Sequence, residues 1–169
     1  MKQADVAIFP HIFALMEEAF PSAERRTYEG QKALLSQANY QLFFQGEQQN
    51  IESIMAVWEF SSFIYVEHFA VSKQKRGSGI GSACMKAFLE NAKKPVILEV
   101  EKVCDCITER RIMFYERIGF HLNSFAYEQP PLQKGYGPLP LHIMSYPSLL
   151  TEQQFQEIKN QLYREVYGK

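Results

Sequence analysis

The chain has 169 residues, enough to bury one substantial core and too few for a second full domain, so a single domain over residues 1–169 is expected. With 46% hydrophobic residues and a net charge of −1, it reads as a globular protein and gives no reason to expect nucleic-acid or membrane-surface binding. Three cysteines, at 84, 104 and 106, contain no C-x-x-C pair, which argues against a disulfide framework and a zinc site and fits a reducing cytoplasm.

In chain order, Ile8, Ile12, Leu15, Met16 and Ala19 recur at helical spacing, and Phe20-Pro21 closes that helix. A second helix is expected from Thr27 to Gln37, with Thr27 or Ser22 as cap and Ala33, Leu34 and Leu35 among its buried positions. Tyr40–Gly46 and Ile51–Phe60 are β-rich runs separated by a polar stretch of hairpin-loop length, so they should pair antiparallel. Phe63–Val71 is apolar on both faces except at Glu67 and His68, which strand alternation would send to opposite faces. Gly79–Asn91 reads as a helix with Ile80, Cys84, Ala87 and Phe88 on one stripe, and Val96–Val100 as a buried strand. Strand, turn, helix and strand form one βαβ crossover, whose two strands should lie parallel. Ile107–Ile118 is a further helix stopped by Gly119, and Phe120–Tyr127 returns as a strand. A proline- and glycine-rich loop spans Pro130–Pro140, Leu141–Tyr146 is a strand, and Thr151–Tyr167 is an amphipathic helix.

The turn between Val71 and the helix at Gly79 carries the strongest chemical signal. Glycines at 77, 79 and 81 permit sharp backbone turns and leave N–H groups open, and the following helix adds unpaired amides and the positive end of its dipole. Lys75 and Arg76 add positive charge, so the segment suits a pyrophosphate.

Three segments, Gln74-Lys-Arg-Gly77-Ser-Gly79-Ile-Gly81, Ile97-Leu-Glu-Val100 and Phe114-Tyr-Glu-Arg-Ile-Gly-Phe120, together resemble the GCN5-related N-acetyltransferase (GNAT) superfamily. The signature Q/R-x-x-G-x-G/A fits in two registers, from Gln74 or from Arg76. The resemblance implies an α/β (α+β) fold, a twisted, mixed, mainly antiparallel sheet with helices on both faces and a central splayed parallel strand pair. It implies acetyl-CoA as donor and an amine as acceptor, and a homodimer is common in the family.

Residue by residue, the resemblance implies that the backbone of Phe69, Ala70 and Val71 pairs with the pantetheine arm like an added strand. Amides of Gly77, Ser78, Gly79, Ile80, Gly81 and Ser82 would hold the pyrophosphate, with Arg76 adding charge. Tyr115 matches the family tyrosine that protonates the departing thiolate as general acid, against the alternative of a core tyrosine beside Phe114. Glu67 and Glu99 compete as general base, each with a structural hydrogen-bonded alternative, and His68 is the weaker candidate. Thr108 stands where many members have an asparagine contacting the cofactor, and its hydroxyl would supply part of that hydrogen bonding. Arg110 and Arg111 read as a solvated helix face, and Cys104 and Cys106 as ordinary loop or strand residues. No metal ligand set is expected. Acceptor choice is expected to lie in Phe20–Arg26 and Tyr127–Pro140.

Two other classes fit parts of the pattern. One is an acyl-CoA-binding module without turnover, used as a sensor. The other is a dinucleotide-binding oxidoreductase, which fits poorly because the third glycine falls one position early and the cradle sits mid-chain.

Overall fold

A computed structural model describes residues 1–169, which divide into two compact units, Met1–Lys94 and Pro95–Lys169. No helix is long and apolar enough to cross a membrane.

In the first unit, helix α1 (Phe9–Ala19) buries Phe9, Ile12, Phe13, Leu15 and Met16 at three- and four-residue spacing against the strands Asn50–Glu59 and Ile64–Val71. Asp5 Oδ1 accepts from the Ala7 and Ile8 amides at its start, and Phe20, extended ahead of Pro21, ends it. Strands β1 (Lys2–Gln3), β2 (Tyr40–Glu47), β3 (Asn50–Glu59) and β4 (Ile64–Val71) lie side by side in that order, each antiparallel to the next. The sequence pattern carries no sign of β1, whose two residues are exposed.

The predicted helix over 27–37 is shorter. Thr27 caps α2 (Tyr28–Ala33), and a 3₁₀ turn follows at Leu34–Ser36. Its buried residue is Gln31, whose Nε2 donates to Tyr40 Oη at 2.8 Å; Ala33 is exposed and the two leucines are half-buried. A polar side chain with an internal partner therefore takes the place assigned to the apolar ones. Helix α3 (Ile80–Asn91) buries Cys84, Met85 and Leu89, so its inward stripe is rotated from the predicted one and Ala87 is exposed.

In the second unit, strand β8 (Leu139–Tyr146) pairs antiparallel with β5 (Val96–Glu101), and also with two short strands, β6 (His121–Leu122) and β7 (Tyr127–Gln129). The predicted single strand over 120–127 is thus two. Asn123 breaks it: its side-chain amide donates to Ile143 O at 3.2 Å and Ser145 Oγ at 2.9 Å, while its Oδ1 accepts from Leu150 N at 2.9 Å. Those contacts satisfy a polar side chain only 2% exposed and turn the chain off the β8 ladder until Tyr127.

Helix α4 (Cys106–Ile118) packs against β5 and ends at Gly119, whose φ of +106° is the left-handed cap that a glycine takes without strain. Helix α5 (Glu152–Gln161) opens with a Thr151/Gln154 capping box and passes into a π-helical turn at Leu162–Val166, where an uninterrupted α-helix was expected. Helices and largely antiparallel strands in both units match the expected fold class.

Candidate active site

The glycine turn of the first unit is shaped as its sequence demands. A 3₁₀ turn at Lys73–Lys75 leaves β4, Gly77 and Gly79 take φ of +79° and +85°, and Gly79 caps α3 without any side-chain hydrogen bond. No acidic residue occupies the first turn of α3, and its first intrahelical amide is Ala83 N, which donates to Gly79 O at 3.0 Å. The amides of Ile80, Gly81 and Ser82 are therefore the unsatisfied donors of a helix start. A Cβ at Gly77 or Gly79 would meet no atom within 4 Å, yet the positive φ would strain any other residue there.

Around it, Ser78 Oγ donates to Lys75 O at 2.6 Å and Arg76 Nε donates to Val71 O at 3.1 Å. Lys75 pairs with Glu52 at 2.8 Å, so its charge is partly compensated. Phe69, Ala70 and Val71 face Met55, Ile54 and Ser53 across the β3 ladder.

Just upstream, β4 is irregular. Val66 pairs with Val57 and His68 with Ala56, so Glu67 is the extra residue of a β-bulge. The bulge interrupts strand alternation, and Glu67 Oε2 lies 3.6 Å from His68 Nδ1 rather than on the opposite face. Arg26 donates to Glu67 Oε1, and His68 Nε2 donates to the Glu24 carbonyl at 2.9 Å. Burial of Glu67 by itself would raise its pKa, but the Arg26 guanidinium and His68 pull it down to about 2. The Arg26 guanidinium also lies 6.0 Å from the centre of the Trp58 ring.

In the second unit, Glu99 stands half-buried on β5 and accepts hydrogen bonds from Tyr127 and Tyr167, the latter at 2.9 Å from each carboxylate oxygen. Burial and the Glu99 charge push the Tyr127 phenol far above its ordinary pKa, so it stays a donor. Tyr163 lies beside both phenols, at 6.0 Å from Tyr127 and 6.4 Å from Tyr167 between ring centres, and donates to Glu128 O at 2.5 Å.

Tyr115 is 8% exposed on α4, with its ring edge-on to Phe114 and Phe120. Burial raises its pKa to about 12, Arg111 opposing and Glu101 adding to the rise. Arg111 is bound to Glu101 on β5, while Arg110 is exposed.

Thr108 is held at the start of its own helix. It is the N3 residue of the α4 capping box: its Oγ1 accepts from Cys104 N at 3.1 Å and Asp105 N at 3.2 Å and lies 3.0 Å from the Asp105 carbonyl. Its one donor and two acceptor positions are all used locally. Cys104 and Cys106 are exposed and free, and no group of three or more His, Cys, Asp or Glu side chains is placed to hold a metal ion.

Arg26, Tyr127 and Tyr167 have no functional assignment from sequence. Arg26 and Tyr127 fall inside the two loops named for acceptor choice, but Tyr167 reaches Glu99 across 68 positions and carries no local signal.

A family model for the acetyltransferase (GNAT) domain matches residues 38–122. YjbC of Bacillus subtilis (strain 168), named as an acetyltransferase, is 31% identical over 155 residues, covering 90% of this chain and 79% of that protein. A structure from Bacteroides thetaiotaomicron, named as a GNAT-family acetyltransferase, superposes with a TM-score of 0.90 at 30% identity, covering 99% of this chain and 98% of the other. Arabidopsis thaliana NAA60, solved in complex with acetyl-CoA, superposes with a TM-score of 0.66 at 12% identity, covering 86% and 96%.

Proposed function

Because this chain belongs to the GNAT acetyltransferase family, we propose that it acetylates a primary amine of a small molecule, peptide or protein by direct attack in a ternary complex, with Glu99 taking the amine's proton and Tyr115 protonating the departing thiolate. The protein is an N-acetyltransferase, and its family uses acetyl-CoA as donor. That membership sets aside the dinucleotide-binding alternative.

The observation that carries the reading is the glycine turn. Left-handed glycines at 77 and 79 lead into a helix start with no capping side chain and no acidic residue, and this fits a diphosphate. Backbone amides from Gly77 to Ser82 hold the phosphates, Arg76 contributes charge, and the backbone of Phe69, Ala70 and Val71 receives the pantetheine arm. The bound donor supplies a thioester carbonyl open to attack.

Two carboxylates compete for the proton, and their surroundings favour one. Glu67 is fixed by a guanidinium and holds its proton only below a pH of about 2, far too acidic to relieve an ammonium at neutral pH. Glu67 instead anchors the bulge. Glu99 is held within its unit by neutral phenols, and phenols can be reorganised around a carboxylate as it takes up a proton. Tyr115, kept protonated by burial, has its proton available across the physiological range.

The test is thiol release from acetyl-CoA against a panel of alkylamines, polyamines and peptide N-termini, for the wild type and Glu99→Gln. Turnover with at least one amine, lost in Glu99→Gln while CoA still binds, is the expected result. Undiminished turnover in the variant would move the proton acceptor elsewhere.

A further inference from the structure

Resting on the assignment of Glu99 as proton acceptor, we propose that Tyr167, presented by the π-helical turn at Leu162–Val166, is a positioning residue that orients the Glu99 carboxylate and weakens it as a base until an alkylammonium acceptor arrives.

Three observations carry this. The turn is a built feature: Tyr167 N donates to Leu162 O at 3.2 Å, the five-residue spacing of a π-helix, and such turns recur at functional positions. Leu162 and Val166, 0% and 8% exposed, seat the turn in its unit and so fix where the next residue points. The Tyr167 hydroxyl lies 2.9 Å from both Glu99 oxygens, across the open fork of the carboxylate, whereas Tyr127 bonds Oε1 alone. One phenol proton shared by two oxygens restrains the carboxylate against rotation.

Three tyrosines of this unit surround Glu99. Tyr127 comes from β7, Tyr163 and Tyr167 from the π turn and its edge, and Glu128 stands behind Tyr163. Across β8 the neighbour is Ile143, which is apolar. Glu101, on the same face of β5 by alternation, is taken up by Arg111 from α4. A hydrogen bond to the ionised form lowers a carboxylate's proton affinity. An ammonium group donates to the same oxygens and replaces the Tyr167 hydroxyl, which puts the acceptor's proton on the carboxylate that must receive it. A charged alkylamine gains most from this arrangement. An arylamine, neutral at the same pH, needs no proton removed before it attacks and loses one only afterwards.

The measurement is a ¹³C titration of the Glu99 side-chain carboxyl, assigned by its disappearance in Glu99→Gln, in the wild type, Tyr167→Phe and Tyr167→Leu. Tyr167→Phe keeps the ring and its packing on Tyr163 and removes only the donor. The Glu99 midpoint is expected to rise by about one pH unit in Tyr167→Phe, with a rise at least as large in Tyr167→Leu. An unmoved midpoint in Tyr167→Phe, or a rise confined to Tyr167→Leu, assigns the residue to packing and overturns the proposal. Thiol release by Glu99→Gln separates the two layers. Retained turnover overturns the base assignment and this proposal with it, whereas lost turnover alongside an unmoved Tyr167→Phe titration overturns the role of Tyr167 alone.

Discussion

Arg26, from the loop that follows α1, binds the carboxylate of Glu67, the extra residue of the β4 bulge, across 41 positions of sequence. Their side chains are 10% and 2% exposed, so the pair joins the loop named for acceptor choice to the strand expected to receive the pantetheine arm. Removing one partner of such a pair leaves the other charged and buried.

Arg26→Met is therefore expected to destabilise the protein by about 3 kcal/mol at neutral pH, read by urea unfolding. The pH dependence should also weaken. In the wild type, Glu67 titrates near 2 when folded against an ordinary value of 4.5, so its stabilisation is present above about 4.5 and is lost as the pH falls through 2. That contribution is on the order of 3 kcal/mol. Without Arg26, burial is opposed by His68 alone and the carboxyl's pKa rises, so the variant should lose less stability than the wild type between pH 4.5 and about 2.

Tyr115→Phe is expected to lower turnover by about one to two decades with CoA affinity nearly kept, since only the proton donor is lost. Because burial holds the phenol's pKa near 12, the wild type should show no alkaline decline in kcat from this group up to a pH of about 10.5. A decline centred on the ordinary tyrosine value of 10.0 that vanishes in Tyr115→Phe would contradict the buried-donor account.

Thr108→Val separates two uses of one hydroxyl. If the side chain only caps α4, the variant loses about 1 kcal/mol of stability and keeps its CoA affinity within about twofold. A tenfold or greater weakening of CoA binding would return Thr108 to the cofactor.

The parts legible in the sequence are those governed by neighbours along the chain. Phe20-Pro21 stops α1, the β2–β3 hairpin follows its β-rich runs and polar turn, and Gly77 and Gly79 turn the chain into α3 much as their spacing requires. The features missed depend on partners far away or on a broken period. Strict alternation separates Glu67 from His68, and a bulge with no sequence mark brings them together. Asn123 divides a strand through bonds to Ile143, Ser145 and Leu150, which only the fold supplies. Thr108 matches a family position, but Asp105 three residues earlier makes it half of a capping box. Tyr167 sits at the end of a helical pattern, and only the widened turn points it at Glu99.

The central claim is that main-chain amides from Gly77 to Ser82 hold a diphosphate, and calorimetric titration of the wild type and Gly79→Val with CoA and with pantetheine, which lacks that group, tests it most directly. CoA is predicted to bind the wild type about 100-fold or more tightly than pantetheine, and Gly79→Val to remove most of that advantage while leaving pantetheine binding unchanged. Equal affinities of the wild type for the two ligands, or no heat with CoA, would contradict it.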